Sequence, residues 1–135
     1  MYGAFESHGS VRVLVVDDYH PFADLVASEV RKRGWDVRVA YSVEEARKAV
    51  EDFRPDVVVL DVVLRNRDLD GFELAAEFER QFPACRFLLM SVSEPEQAHP
   101  RYTFMHKFKL MDGLFRFLGS CRPTSKEVEA VEDRG

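Results

Sequence analysis

Three carboxylates, a hydroxyl and an ammonium stand along this 135-residue chain where they could do chemistry together. Asp17 and Asp18 follow the run "VRVLVV", Asp61 follows "DVVVL", Ser91 follows "RFLLM" and Lys107 follows "YTFMH". Each closes a short apolar segment. Desolvating an ionised carboxylate costs several kcal/mol unless something pairs it, so the lone acid Asp61 must gain a partner where it sits. Acids that meet at one place need a cation. Hard carboxylate oxygens suit Mg²⁺, which keeps several waters and takes one or two carboxylates together with phosphate oxygens. A hydroxyl and a mobile positive charge beside them complete the parts of a phosphoryl-handling site.

The elements that must position these groups follow from the spacing of apolar residues. Val11 to Val16 is a β-branched run too short for a helix and suited to a buried parallel strand. Pro21 suits a first helical position; Phe22, Leu25, Val26, Glu29 and Val30 follow at mostly helical spacing, and Gly34 is the stop. Trp35 to Ala40 alternates as a second strand. "SVEE", Ser42 to Glu45, is a capping box opening a helix with Val43, Ala46, Val50 and Phe53 on one face, ended by Pro55. "DVVVLDVV" from Asp56 is a third strand, Gly71 to Phe82 a third helix, and Arg86 to Ser91 a fourth strand. Pro95 and Pro100 leave room for about one helical turn before Tyr102 to Lys107, the fifth strand. Met111, Leu114, Phe115 and Leu118 form the apolar face of a last helix. Strands alternating with helices imply a parallel sheet covered on both faces. In such a sheet the C-terminal strand ends share one edge, and Asp17, Asp18, Asp61, Ser91 and Lys107 can converge there.

Composition narrows the class. With 46% hydrophobic residues, the chain can bury one core of ordinary domain size. A net charge of −5, with both signs interspersed, offers no positive stripe for a phosphate backbone, so proteins rather than nucleic acids are the expected partners. Cys85 and Cys121 lack C-x-x-C spacing and read as reduced thiols of a cytoplasmic protein. No apolar run reaches the roughly 18 residues of a membrane span, and "MYGAFESHGS" lacks the pattern of a secretory leader. The four histidines, His8, His20, His99 and His106, show no metal-ligand spacing. The expected organisation is an N-terminal extension over 1–10, one domain over 11–119, and a mobile polar tail over 120–135 with too little apolar surface to offset its ordering entropy.

Taken together, Asp17-Asp18 ending the first strand, Asp61 the third, "DG" (Asp70-Gly71) opening the third helix, Ser91 ending the fourth strand and Lys107 the fifth resemble the receiver domain of two-component response regulators. The resemblance spans roughly Val11 to Gly119. It implies a flavodoxin-like, doubly wound five-stranded parallel sheet of order 2-1-3-4-5. It further implies that Asp61 accepts a phosphoryl group from a phosphohistidine, and that Asp18 and Asp61 bind Mg²⁺ directly. Asp17 would act mainly through bound water, and the backbone carbonyl of Val63 would complete the protein's share of the metal shell. Lys107 would pair with the aspartate and then with a phosphoryl oxygen, Ser91 would hydrogen-bond another, and Phe104 matches the switch aromatic. The implied partners are a sensor histidine kinase or histidine phosphotransfer protein and a downstream protein target, and the resemblance also admits a homodimer. Slow autodephosphorylation, rather than conventional turnover, is the expected enzymology. With no output domain attached, a stand-alone receiver is expected.

Departures from the family pattern shape the remaining expectations. Phe108 replaces the proline that usually follows the lysine, so the loop aiming Lys107 is expected to be built differently. The loop "VVLRNRDLDG" is longer than usual and lacks a customary proline. The stretch between Ser91 and Lys107 is short by more than a helical turn, which predicts a shortened or absent fourth helix, and Val92 replaces a small residue after the hydroxyl. These departures motivate an alternative, a degenerate receiver that works by protein contact without phosphorylation. A Mg²⁺-dependent phosphatase on a similar sheet is a second alternative. It fits less well, because there the nucleophilic aspartate ends the first strand in a D-x-D pattern.

Overall fold

The computed structural model describes residues 11–64, 69–91 and 102–121. The N-terminal extension, Val92, the segment expected to hold a shortened or absent fourth helix, and the tail from 122 lie outside these residues. Among the described residues five strands are present: β1 (Arg12–Val16), β2 (Asp36–Ala40), β3 (Val57–Asp61), β4 (Arg86–Ser91) and β5 (Thr103–His106). Four helices accompany them: α1 (His20–Lys32), α2 (Val43–Phe53), α3 (Gly71–Gln81) and α4 (Leu110–Gly119). All neighbouring strand pairs are parallel and the order is β2-β1-β3-β4-β5. This is the doubly wound, flavodoxin-like sheet of order 2-1-3-4-5 that the resemblance implies, and its parallel strands are those that the alternation of elements predicts.

The three central strands, β1, β3 and β4, are apolar at nearly every position because the sheet buries both of their faces, whereas the edge strands β2 and β5 are partly exposed. Leu14, Val16, Val58, Leu60 and Leu89 turn to one side and pack with residues of α2 and α3, including Val50, Leu74 and Phe78. Val13, Val15, Val57, Val59, Leu88 and Met90 turn to the other and pack with Val26 and Val30 of α1 and Leu114 and Leu118 of α4. Alternate residues of one strand therefore serve two cores.

Register sets the site. Val16 pairs with Leu60, so the next residues, Asp17 and Asp61, leave adjacent strands at the same level. Asp61 pairs with Met90, and Ser91 pairs with His106, which places Ser91 and then Lys107 one step further along the same edge.

Two expectations shift by a residue or a face. The buried stripe of α1 is Ala23, Val26, Ala27 and Val30, whereas Leu25 is 53% exposed. Small alanines let the helix approach the sheet, and that turns the helix so that Leu25 faces outward. The fifth strand ends at His106, and Lys107 opens a 3₁₀ turn, Lys107–Lys109, leading into α4. The side chains of Phe108 and Met111 lie outside the described set.

The helix caps are specific. Ser42 Oγ accepts the Glu45 N–H at 3.0 Å, but Glu45 Oε1 accepts the N–H of Tyr41 rather than that of the cap residue. The reciprocal box forms at α3 instead, between Asp70 Oδ1 and the Glu73 N–H (2.9 Å) and between Glu73 Oε1 and the Asp70 N–H (3.0 Å). α2 ends at Phe53 as Pro55 requires, with Arg54 in the left-handed region at φ 52°. Among the described residues no helix is long and apolar enough to cross a membrane.

Candidate functional site

At the C-terminal edge of the sheet, Asp17, Asp18 and Asp61 each offer a carboxylate oxygen within 4.8 Å of the others. Asp17 is fully buried and Asp61 nearly so, while Asp18 is half-buried. Asp17 still belongs to the sheet through its N–H, which donates to the Ala40 carbonyl at 3.1 Å. Its Oδ1 accepts the Tyr19 N–H at 2.9 Å, closing the tight turn that swings the chain from β1 into α1.

Asp61 is held by backbone on both sides. Its Oδ1 accepts the Val63 N–H at 3.2 Å. The next residue, Val62, donates its N–H to the Met90 carbonyl at 2.8 Å and accepts the Gly71 N–H at 2.7 Å. Gly71 must be glycine for this closure. A Cβ there would overlap the carbonyl oxygen of Asp61 and stand 2.7 Å from the Val62 Cα, and neither backbone atom can yield cheaply.

The positive charge comes from Lys107, whose side chain is only 10% exposed. Its Nζ lies 2.6 Å from Asp17 Oδ2 and 3.4 Å from Asp61 Oδ2. It also lies 4.9 Å from the centre of the Phe22 ring. The replacement of proline by Phe108 thus does not divert the ammonium from the acids. Apart from its ion pair with Lys107, Asp17 Oδ2 is a buried acceptor with no hydrogen-bond partner among the described residues.

This donor set fits Mg²⁺. Three carboxylates converge, one of their oxygens is buried without a hydrogen-bond donor, and one ammonium cannot balance three negative charges. The electrostatics agree. Burial, and then the neighbouring charge of Asp17, push the Asp61 carboxyl up to about 6, against the opposing pull of Lys107 and the Val63 N–H. A divalent cation would favour the ionised form that a nucleophile needs.

The other predicted residues occupy the same edge or its flank. Ser91 is buried at the end of β4. Phe104 is half-buried in β5, level with Leu89, and packs against the core that contains Leu89 and Phe87. Val63 is 65% exposed beside Asp61. Cys85 and Cys121 are free, buried thiols; burial pushes Cys85 up to about 12 and raises Cys121, so neither is poised as a nucleophile.

Two contributors were not assigned to the site from sequence. Phe22 counts in the sequence only as an apolar helical position, and no spacing rule connects it to Lys107. The Asp70–Glu73 box was legible as D-x-x-E before an apolar run, and it fixes the start of the helix whose first residue packs on Asp61.

Residues 13–106 match the family described as the response regulator receiver domain. Solved structures give the same picture of the fold. The receiver domain of the Francisella response regulator 1452 is 22% identical, covers 81% of this chain and 93% of its own, and superposes with a TM-score of 0.70. The receiver domain of NtrX from Brucella abortus is 27% identical, with 80% and 98% coverage and a TM-score of 0.64. The response regulator TrrA from Thermotoga maritima, solved in complex with Mg²⁺-BeF, is 23% identical, with 80% and 98% coverage and a TM-score of 0.65.

Proposed function

The chain belongs to the response regulator receiver family of two-component signalling, and from that membership we propose that Asp61 is its phosphoacceptor. The observation that carries this reading is the meeting of Asp17, Asp18 and Asp61 within 4.8 Å, with Lys107 set between Asp17 and Asp61. A carboxylate oxygen of Asp61 attacks the phosphorus of a phosphohistidine on a sensor kinase or histidine phosphotransfer protein. A P–O bond forms, the P–N bond breaks, and its electron pair stays with the departing imidazole. Phosphoryl transfer of this kind asks the protein mainly for alignment and charge neutralisation.

Asp17, Asp18 and Asp61, with the Val63 carbonyl, would hold Mg²⁺, which when bound neutralises charge on phosphoryl oxygens. The chain's own residues do the rest. The backbone staple at Val62 fixes the direction of the Asp61 side chain. Lys107 supplies a second positive charge and follows the new phosphoryl oxygens. Ser91 donates its hydroxyl to one of them, and Phe104 registers that move on the β5 side. Phosphorylation adds charge and acceptor oxygens, which bias a two-state arrangement of the neighbouring surface toward binding a protein target. The similarity to TrrA, solved with Mg²⁺-BeF, supports this chemistry. The setting proposed is the cytoplasm, where Cys85 and Cys121 remain reduced.

Incubation with acetyl phosphate and Mg²⁺ tests the reading. A mass gain of one phosphoryl group is expected, absent with EDTA and absent in Asp61→Asn. No gain in the wild-type chain would overturn the reading and leave a receiver that acts by contact alone.

A further inference from the structure

Lys107 lies outside the strand ladder. The last paired residue of β5 is His106, and Lys107 already belongs to the 3₁₀ turn. Its ammonium sits at the end of a flexible four-carbon stem. Two carboxylates attract it, Asp17 at 2.6 Å and Asp61 at 3.4 Å. Two anchors alone let a cation swing about the axis that joins them. A third contact narrows the positions open to it.

The third anchor comes from α1. The Phe22 ring centre is 4.9 Å from Lys107 Nζ, within the range at which the negative face of an aromatic ring attracts a cation. Phe22 is half-buried in the first turn of α1, against the core shared by β1, β3 and α4. That turn is itself tied to the site, because the Tyr19 N–H binds Asp17 Oδ1 and the Tyr19 carbonyl accepts the Ala23 N–H at 3.1 Å. With the lysine only 10% exposed, little water competes for the ammonium.

We propose that Phe22 is a positioning residue for Lys107, its ring face holding the ammonium where it can serve Asp61 and an incoming phosphoryl group. This rests on Asp61 being the phosphoacceptor. Leucine keeps the apolar bulk and removes the π face, whereas tyrosine keeps the face.

The test compares Phe22→Leu and Phe22→Tyr, each alone and combined with Lys107→Ala. Phosphorylation by acetyl phosphate at saturating Mg²⁺ should slow roughly three- to tenfold in Phe22→Leu and stay near the wild-type rate in Phe22→Tyr. In the Lys107→Ala background the Leu and Tyr variants should be equally fast, since the effect runs through the missing ammonium. NMR of the metal-free protein gives a readout independent of phosphorylation. The Lys107 ε-methylene resonance should carry an aromatic ring-current shift that Phe22→Leu abolishes and Phe22→Tyr preserves.

Should Phe22→Leu fail to fold, Phe22→Met makes the same comparison. An unchanged lysine resonance in the Leu or Met variant, or an equal slowing with and without Lys107, would overturn the proposal. If no chain accepts phosphate, the phosphoacceptor reading fails, and the NMR comparison still decides whether Phe22 holds the lysine.

Discussion

Lys107 stands closer to Asp17, at 2.6 Å, than to Asp61, at 3.4 Å. The site's own cation therefore lies nearer Asp17 than the proposed phosphoacceptor. An ammonium there occupies part of the charge well that a divalent ion would use. Lys107→Ala should bind Mg²⁺ about three- to tenfold more tightly while accepting phosphate about ten- to a hundredfold more slowly. Metal titration and acetyl phosphate kinetics on the same preparation separate the two effects. Weaker metal binding would show that Lys107 supports the ion rather than competing with it.

The Asp61 carboxyl, raised from 3.8 to about 6, sets a pH dependence whose sign is opposite to that of a salt-bridged acid. The folded chain keeps this proton through a window in which the unfolded chain has released it. Raising pH from about 4 to about 6 therefore removes stability from the metal-free protein, and the cost is complete above that window. Asp61→Asn should unfold later than wild type at pH 7.5 by about 1–2 kcal/mol, allowing for partial solvent screening, with the advantage fading near pH 4. Denaturant titrations in EDTA at the two pH values measure it. Equal stability at pH 7.5 would contradict the assigned cost.

Added Mg²⁺ should reverse that order. An ion that binds only the folded chain stabilises it by mass action, about 2.7 kcal/mol at a hundredfold excess over its dissociation constant. Wild type should gain this and Asp61→Asn should gain less, read as the shift in melting temperature on titration with MgCl₂. Equal shifts would mean that the ion binds elsewhere.

Gly71→Ala should be severe, because Gly71 is buried at the start of α3. The added Cβ has only the backbone of Asp61 and Val62 to push against, so about 2–3 kcal/mol of stability should go, with acetyl phosphate reactivity falling as the carboxylate moves. Asp70→Ala provides the contrast. It removes the cap of the same helix, at about 1 kcal/mol, without pushing on the Asp61 backbone. Thermal unfolding with parallel phosphorylation assays distinguishes strain at the site from loss of the cap.

The legibility of this molecule from its residues was uneven, for physical reasons. β-branched runs ending in acids locate strand ends well, because a buried parallel strand tolerates a charge only where it leaves the sheet; Asp17 and Asp61 lie where their runs stop. Helical periodicity was less exact. In α1 it pointed to Leu25, yet close packing on the sheet selected Ala23 and Ala27, and the larger residue turned outward. The contact between Phe22 and Lys107 joins residues far apart in sequence. Only the packing of α1 against the strand ends creates it.

The hydrogen bond between the Gly71 N–H and the Val62 carbonyl has a consequence in polymer terms. It holds Val62 and Gly71, which flank the intervening run, beside each other at the sheet edge. Lengthening such a run costs only about (3/2)RT times the logarithm of its length ratio, a few tenths of a kcal/mol for a couple of residues. The run between Val63 and Asp70 can thus change in length and composition with little tension reaching Asp61.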